Sequence, residues 1–302
     1  MNDPAIFGYD LFGEIVKPKA SGPVAERFTF PPFTVLDTRS GEWQDRKRAW
    51  IAMGIRGEVG RNATVIRCPN QSNSDGMADA NYTSAFDPAL VELAYRWWCP
   101  PGGQIVDPFA GGSVRGIVAG VLGLKYWGCD LRPEQIAANE KQADEINLAV
   151  RPEWVCGDSM ESLATAPAAD FVFSCPPYGD LEKYSDDPRD LSAMEWHTFV
   201  GAYKRIILRS VQRMKENSFA CFVVGDLRDK AGFYRNFVGT TVAAFEECRA
   251  HLYNEAVLLT SIASAPMRVT RQFEGGRKLV KTHQNVLVFC KGDWRAAAAK
   301  CR

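Results

Sequence analysis

The chain has 302 residues, of which 46% are hydrophobic, and its 36 basic and 36 acidic residues give a formal net charge of +0. A chain of this length can bury one large core or two modest ones. The balanced charge excludes a globally basic nucleic-acid-binding protein, so any such surface must be a local patch. The nine cysteines form no C-x-x-C pair and there are only three histidines, which argues against a structural zinc site and for reduced thiols.

The N-terminal sequence MNDPAIFGYDLFGEIVKPK lacks the basic region and apolar run of a signal peptide. No window approaches the length of a membrane span. We therefore expect a cytoplasmic protein that binds no metal and contacts no membrane. Residues 1–80 read as an irregular extension that contains one basic, aromatic segment, EWQDRKRAWIAMGI, typical of a short helix. Residues 81–302 are predicted to form the functional domain.

From Phe86 onward, helical and strand patterns alternate. The helix DPALVELAYRWWC, which has a proline in its first turn, precedes the strands GQIVDPF, KYWGCD, WVCGD and DFVFS, with helices between the first three. A long helical stretch and the strands FACFVVGD, LYNEAVLLTSI and QNVLVFCKGD follow. This alternation predicts a doubly wound, mostly parallel α/β sheet of seven strands, with helices on both faces and a ligand at the carboxyl ends of the strands.

Polar or glycine-rich residues follow each of the first four strands. Asp107 ends the first strand just before Gly111 and Gly112, which allow the backbone to turn tightly beneath a ligand. Asp130 ends the second strand about twenty residues later, where doubly wound domains place an acid on ribose hydroxyls. Asp158 ends the third strand, and Ser-Cys-Pro-Pro-Tyr ends the fourth. Each feature alone also fits a turn or a helix cap, but four such features at the ends of four successive strands favour a ligand site.

These residues, in this order, resemble the S-adenosylmethionine (SAM)-dependent DNA amino-methyltransferases of the N6-adenine/N4-cytosine type, which include phage and bacterial modification enzymes. DPFAGGS is similar to the family motif D-P-F-x-G-S-G, with Gly112-Ser113 in reversed order, and CPPY is similar to (D/N/S)-P-P-(Y/F). The resemblance covers residues 86–293 and implies a Rossmann-like methyltransferase fold with SAM as cofactor. It implies contacts of Asp107, Phe109 and Gly111 with the methionine part of SAM, of Asp130 with the ribose and of Asp158 near the adenine.

The chemistry of this family gives the CPPY motif its expected roles. An exocyclic amino group is a poor nucleophile, and two hydrogen-bond acceptors on its hydrogens rehybridise its nitrogen. The resemblance implies that the carbonyl of Pro176 and the side chain before it are these acceptors. Pro176 and Pro177 would hold the loop rigid, and Tyr178 would stack on a base flipped out of duplex DNA.

Cys175 departs from the family pattern, because a thiol is a weak acceptor. Three interpretations stay open. Cys175 imitates the serine of SPPY in an amino-methyltransferase; or it is a nucleophile that adds to cytosine C6, although the order C-P-P differs from the P-C of known C5 enzymes; or it is a small buried hydrophobe in a non-catalytic DNA-binding protein. We take the first as the working hypothesis.

A local basic patch is the expected binding site for double-stranded DNA. The segment MRVTRQFEGGRKLVKTHQ, residues 267–284, is predicted to be a flexible, glycine-hinged loop whose basic side chains contact phosphates: Arg268, Arg271, Arg277, Lys278 and Lys281. Residues 225–237 and the tryptophan-flanked basic residues 46–48 are weaker candidates. The segment that follows the CPPY motif, through residue 192, is expected to be a mobile loop over the site.

Overall fold

The computed structural model describes residues 28–56, 86–179, 185, 187–260, 262 and 265–302. Most of the N-terminal extension therefore lies outside the described residues. So does the central part of the loop predicted after the CPPY motif.

The described residues form one sheet with helices on both faces. The strands are β1 Val35–Asp37, β2 Gln104–Asp107, β3 Lys125–Asp130, β4 Glu153–Cys156, β5 Ala169–Ser174, β6 Met214–Val224, β7 Ala250–Leu259 and β8 His283–Lys291. The helices are α1 Gly41–Ala52, α2 Pro88–Trp98, α3 Val114–Val121, α4 Pro133–Glu145, α5 Ser159–Ser162, α6 Trp196–Arg213, α7 Phe237–Glu247, α8 Ala265–Gly276 and α9 Trp294–Lys300. Within the described ranges, no helix is both long and apolar enough to cross a bilayer.

The strand order in the sheet is β1-β7-β8-β6-β5-β2-β3-β4. Neighbouring strands are parallel except for β8, which runs antiparallel to both β6 and β7. This confirms the predicted doubly wound, mostly parallel sheet. The sheet has eight strands in place of the predicted seven, because Val35–Asp37 pairs with Val257–Leu259 of β7. A three-residue strand is too short to show an alternating pattern in the sequence.

The order of the strands reverses between β2 and β5. These two strands lie side by side, with Ile105 opposite Phe171 and Val106 opposite Val172, whereas β3 and β4 extend the sheet in one direction and β6 in the other. A crevice opens at such a switch point in doubly wound sheets. The fold therefore brings the residues after β2 next to the CPPY motif after β5.

Alternate residues of the central strands supply the cores on the two faces of the sheet. In β6, Phe219, Cys221 and Val223 belong to one buried cluster, and Ala220, Phe222 and Val224 belong to the other. The first cluster joins the sheet to α1–α4 and α9, and the second joins it to α6 and α7. Successive side chains of a strand point to opposite faces of the sheet, and here both sets are buried. This pattern is typical of a sheet that is covered on both sides.

The described part of the N-terminal extension packs into the first of these cores. Trp43 and Trp50 of α1 are 1% and 0% exposed. Glu92 of α2 is fully buried and accepts hydrogen bonds from Trp50 Nε1 at 2.8 Å, Arg46 Nε at 2.5 Å and Arg96 Nε at 2.8 Å. Burial alone would raise the pKa of Glu92, but the two guanidinium groups outweigh it and hold the pKa below its usual range. The basic, aromatic segment is thus a docked helix.

The segment predicted to be a glycine-hinged basic loop is largely a helix, so that prediction was wrong. Helix α8 spans Ala265–Gly276, and its two glycines end it instead of bending it. Arg277 takes a left-handed conformation (φ 51°), and its N–H donates to the carbonyl of Phe273 at 2.7 Å. The helix faces solvent with most of its apolar side chains exposed, so no buried stripe marked it in the sequence.

We expect Glu92→Gln to destabilise the protein by about 3 kcal/mol, because it leaves two arginines beside a neutral buried group. The lowered pKa of Glu92 means that its contribution is present above its ordinary value of 4.5 and is lost as the pH falls through the folded-state pKa. Urea unfolding between pH 3 and pH 7 should therefore show a weaker acid dependence in the variant. Asp45→Asn, which breaks the exposed pair with Arg48, is the control and should leave both measurements unchanged.

Candidate active site

A cavity of about 380 Å³ lies at the carboxyl ends of the strands. Nine of the ten residues predicted for catalysis or cofactor binding line its wall: Phe109, Gly111, Gly112, Asp130, Asp158, Cys175, Pro176, Pro177 and Tyr178. The tenth, Asp107, lies beneath the wall and is fully buried. The strand ends that the sequence singled out are therefore brought together around one space.

Asp107 is the centre of a buried hydrogen-bond network. Its carboxylate accepts from Arg115 Nε at 2.6 Å, Tyr126 Oη at 2.8 Å, Ser174 Oγ at 2.5 Å and the N–H of Phe109 at 3.1 Å. Burial alone would lower the pKa of Arg115, but the charge of Asp107 outweighs it and raises that pKa. Both carboxylate oxygens are engaged, so Asp107 supports the cavity floor where contact with the methionine part of the cofactor was expected.

The glycine turn after β2 is fixed to the end of β3. Gly111 has φ 51°, a left-handed conformation that favours glycine, and its N–H donates to Asp130 Oδ2 at 3.1 Å. Asp130 Oδ1 accepts from the N–H of Arg132 at 2.9 Å. Burial raises the pKa of Asp130, and Arg132 only partly opposes it. A carboxylate so placed at the wall can accept hydrogen bonds from the hydroxyls of a bound sugar.

A polar stripe on α4 supports the glycine turn from behind. Gln135, Asn139 and Gln142 are at most 1% exposed, at positions that share one helix face. Asn139 Nδ2 donates to the carbonyl of Gly111 at 2.8 Å, and Gln142 Oε1 accepts from Ser113 Oγ at 2.5 Å. Sequence reasoning missed these residues. The signal was present, since amides at i, i+4 and i+7 occupy the face of α4 that should be apolar.

Asp158 and Ser159 close the cavity at the end of β4. Asp158 caps the short helix α5 by accepting from the N–H of Met160 at 2.9 Å, and it also lines the cavity. The hydroxyl of Ser159 donates to the carbonyl of Pro108 at 2.5 Å. Asp158 therefore both caps α5 and lines the cavity.

The CPPY motif begins where β5 ends. Ser174 is fully buried with its hydroxyl on Asp107, whereas Cys175 is partly exposed and lines the cavity. Tyr178 is held at both ends: its hydroxyl accepts from Gln284 Nε2 at 2.6 Å, and its ring packs edge-on against Phe237 at 6.1 Å. The motif residue whose side chain faces the cavity before the prolines is therefore the cysteine.

One wall of the cavity comes from the N-terminal region, for which the sequence predicted only a weaker DNA contact at residues 46–48. Thr38, Gln44 and Lys47 line the cavity together with Phe86 and Asp87 at the start of α2. Because α1 docks on α2 through Glu92, these side chains are carried to the cavity by packing contacts distant in sequence. No local motif could indicate this.

The five basic residues of the segment 267–284 that were predicted to contact DNA do not line the cavity, but Lys281 lies close to the CPPY motif. A side-chain carbon of Lys281 lies 3.6 Å from the point where a Cβ on Gly225 would be, and Tyr178 lies 3.9 Å from that point. Burial lowers the pKa of Lys281, and Asp226 partly opposes it. Arg268, Arg271 and Arg277 are exposed on and after α8. Within this one basic segment, Lys281 therefore lies near the CPPY motif, whereas the three arginines face solvent.

Several solved structures align with parts of this chain at low sequence identity. No protein-family model matches it. TrmN of Thermus thermophilus aligns with 68% of this chain and 48% of its own length, at 13% identity and a TM-score of 0.46. A candidate RNA methyltransferase from Pyrococcus horikoshii aligns with 82% of this chain and 99% of its own, at 15% identity and a TM-score of 0.48. A candidate DNA modification methylase from Thermus thermophilus aligns with 45% and 51%, at 16% identity and a TM-score of 0.34.

The fold is a doubly wound, mostly parallel α/β sheet with helices on both faces. The sheet has one antiparallel strand, β8, inserted between β6 and β7, and its strand order reverses at β2 and β5. The chain spans about half the length of TrmN. At these identities the likeness concerns the fold alone.

We expect Asp107→Asn to lower the free energy of unfolding by about 3 kcal/mol, because it leaves the guanidinium of Arg115 buried without a counter-charge. The double variant Asp107→Asn/Arg115→Met should recover part of this loss in urea unfolding, since the two effects are coupled. Asp144→Asn, which removes an exposed partner of Arg151, is the matched control. Equal losses from Asp107→Asn and Asp144→Asn would contradict a supporting role for the network.

Proposed function

We propose that this protein is a modification methyltransferase that transfers a methyl group from SAM to an exocyclic amino nitrogen, N4 of cytosine or N6 of adenine, in double-stranded DNA. The observation that carries the proposal is the meeting of the DPFAGGS turn and the CPPY motif around one cavity at the switch point of the sheet. A cavity of about 380 Å³ lies within the range of small-molecule sites in proteins.

The residues around the cavity fit SAM. In this proposal Asp130 accepts hydrogen bonds from the ribose hydroxyls, Asp158 contacts the adenine, and Gly111 lets the backbone approach the ligand closely; all three residues line the cavity. When bound, SAM supplies an electrophilic methyl group. In this proposal the chain positions that ligand through a floor that is fixed by Asp107 and by the polar face of α4.

The CPPY residues would act on the target base. The carbonyl of Pro176 and the side chain of Cys175 accept hydrogen bonds from the exocyclic amino group and draw its lone pair out of the ring. Ser174 is not among the cavity-lining residues: it is fully buried, and its hydroxyl donates to Asp107. Tyr178, fixed by Gln284 and Phe237, offers its ring to the flipped base. Preorganised acceptors need no reorganisation at the moment of transfer.

Two exposed surfaces suit a nucleic acid. Helix α8 presents Arg268 and Arg271 to solvent, and Met267 beside them is 81% exposed. The loop after β6 presents Phe233, 72% exposed, and Tyr234, whose ring lies 4.0 Å below the guanidinium of Arg228. Basic and aromatic side chains together bind phosphates and unstacked bases.

A second candidate function is methylation at cytosine C5 with Cys175 as the nucleophile. The observation that favours it is that Cys175 lines the cavity, next to the prolines of the motif. The cysteine precedes those prolines, however, whereas the known C5 enzymes carry it after a proline. We therefore keep the amino-methyltransferase as the main proposal.

Nucleoside mass spectrometry separates these reactions. Protein and SAM are incubated with unmethylated duplex DNA, and we expect N4-methylcytosine or N6-methyladenine. Cys175→Ser should retain or increase the rate, since a hydroxyl is the better acceptor, and Cys175→Ala should lower it about tenfold or more. C5-methylcytosine that disappears in Cys175→Ser would establish the nucleophile instead. Methylation of RNA alone, or of neither polymer while SAM still binds, would overturn the DNA substrate.

Arg268→Gln/Arg271→Gln should weaken DNA binding with no preference for sequence. If both side chains contact phosphates, the slope of log K against log salt should become shallower by about 0.9 for each contact removed. Fluorescence anisotropy with a duplex at 50–200 mM salt gives this slope. Arg209→Gln removes an exposed charge from α6 and should leave the slope unchanged. Equal slopes in wild type and the α8 variant would exclude α8 from the interface.

A further inference from the structure

Two opposite charges from distant parts of the sequence meet at the cavity wall. Lys47 of α1 places its Nζ 3.3 Å from Asp87 Oδ2, and both residues line the cavity. Asp87 is fixed, because its carboxylate caps α2 at the N–H of Ala89 (3.0 Å) and accepts from Trp43 Nε1 (3.2 Å). Lys47 is less constrained, with 35% of its side chain exposed. One rigid anion and one adjustable cation therefore share this part of the wall.

This pair comes from other elements than the acids assigned to the nucleoside, although all four residues line the same cavity. Asp130 and Asp158 follow β3 and β4 at one edge of the sheet, whereas Lys47 and Asp87 belong to α1 and the start of α2. The wall near that pair includes Thr38 after β1 at the other edge of the sheet. A ligand whose sugar contacts Asp130 can therefore extend its other end toward Lys47 and Asp87.

The other cations of the wall are already committed. Arg115 pairs with Asp107 at 2.6 Å beneath the floor, and Arg189 pairs with Asp187 at 2.7 Å. Arg132 donates to Gln135 at 2.8 Å and lies 3.6 Å from Asp130, on the nucleoside side. Among the cavity-lining residues that the structure describes, Lys47 is the cation best placed to meet an anionic group at the opposite end.

We infer that Lys47 and Asp87 bind the amino-acid end of SAM, with Lys47 on its carboxylate and Asp87 on its ammonium group. This inference rests on the proposed use of SAM. A zwitterion presents both charges side by side and is matched by a pair of opposite sign. The lysine–aspartate contact is then exchanged for two charge-assisted contacts with the ligand, and neither protein charge is left without a partner. The N-terminal region thereby becomes part of the cofactor site.

Calorimetric titration with SAM and with decarboxylated SAM, which lacks the carboxylate but keeps the amine, tests each half of the pair. Lys47→Met should weaken SAM about tenfold and leave decarboxylated SAM unchanged or tighter. Asp87→Asn should weaken both ligands about tenfold, while the asparagine still caps α2. Lys47→Arg should bind SAM nearly as well as wild type. Lys125→Met, at the exposed start of β3, is the control and should change neither ligand.

The pattern across the two ligands decides the inference. An equal effect of Lys47→Met on SAM and decarboxylated SAM, or no effect on either, would overturn it while leaving SAM as the cofactor. A wild-type protein that binds neither ligand would overturn the proposed function and the inference together. Unfolding midpoints of each variant separate loss of binding from loss of folding.

Discussion

The buried carboxylate of Asp107 connects four pieces of backbone that would otherwise meet only through apolar packing. It lies at the end of β2, and its partners come from α3, β3 and the end of β5. A charge removed from water is costly unless it is paired and fully hydrogen-bonded, and here it is both. The free-energy cost of burying this charge favours one position of the surrounding backbone. Any shift of the glycine turn or of the CPPY motif would leave part of the hydrogen-bond network unsatisfied.

A second buried and fully paired carboxylate, that of Glu92, connects α1 to α2. One buried carboxylate binds two arginines and a tryptophan, and the helix fixed in this way contributes Gln44 and Lys47 to the cavity wall. Both networks use a single acid as the meeting point of several donors. The floor and one wall of the cavity are therefore positioned by electrostatics, within a framework that hydrophobic burial assembles.

The sequence predicted the order of the central elements and most of the cavity wall, because these depend on local signals. Apolar runs mark the strands, and the polar residue after each strand marks the edge where a ligand can bind. Three features could not be predicted in this way. Strand β1 is too short to show a period, α8 is exposed and has no buried stripe, and the role of Asp107 depends on Arg115 and Ser174, which only the folded chain brings to it. Residues 38–47 reach the cavity by tertiary packing, which leaves no local trace.

The short strand β1 also determines what the edge of the sheet exposes. It pairs only with Val257–Leu259, so the first part of β7 forms the outer edge of the sheet among the described residues. An open edge invites pairing between molecules. This one carries a bulge between Leu252 and Asn254 and the polar side chains of His251 and Glu255. Those features interrupt the regular ladder that a second strand would need in order to pair with this edge.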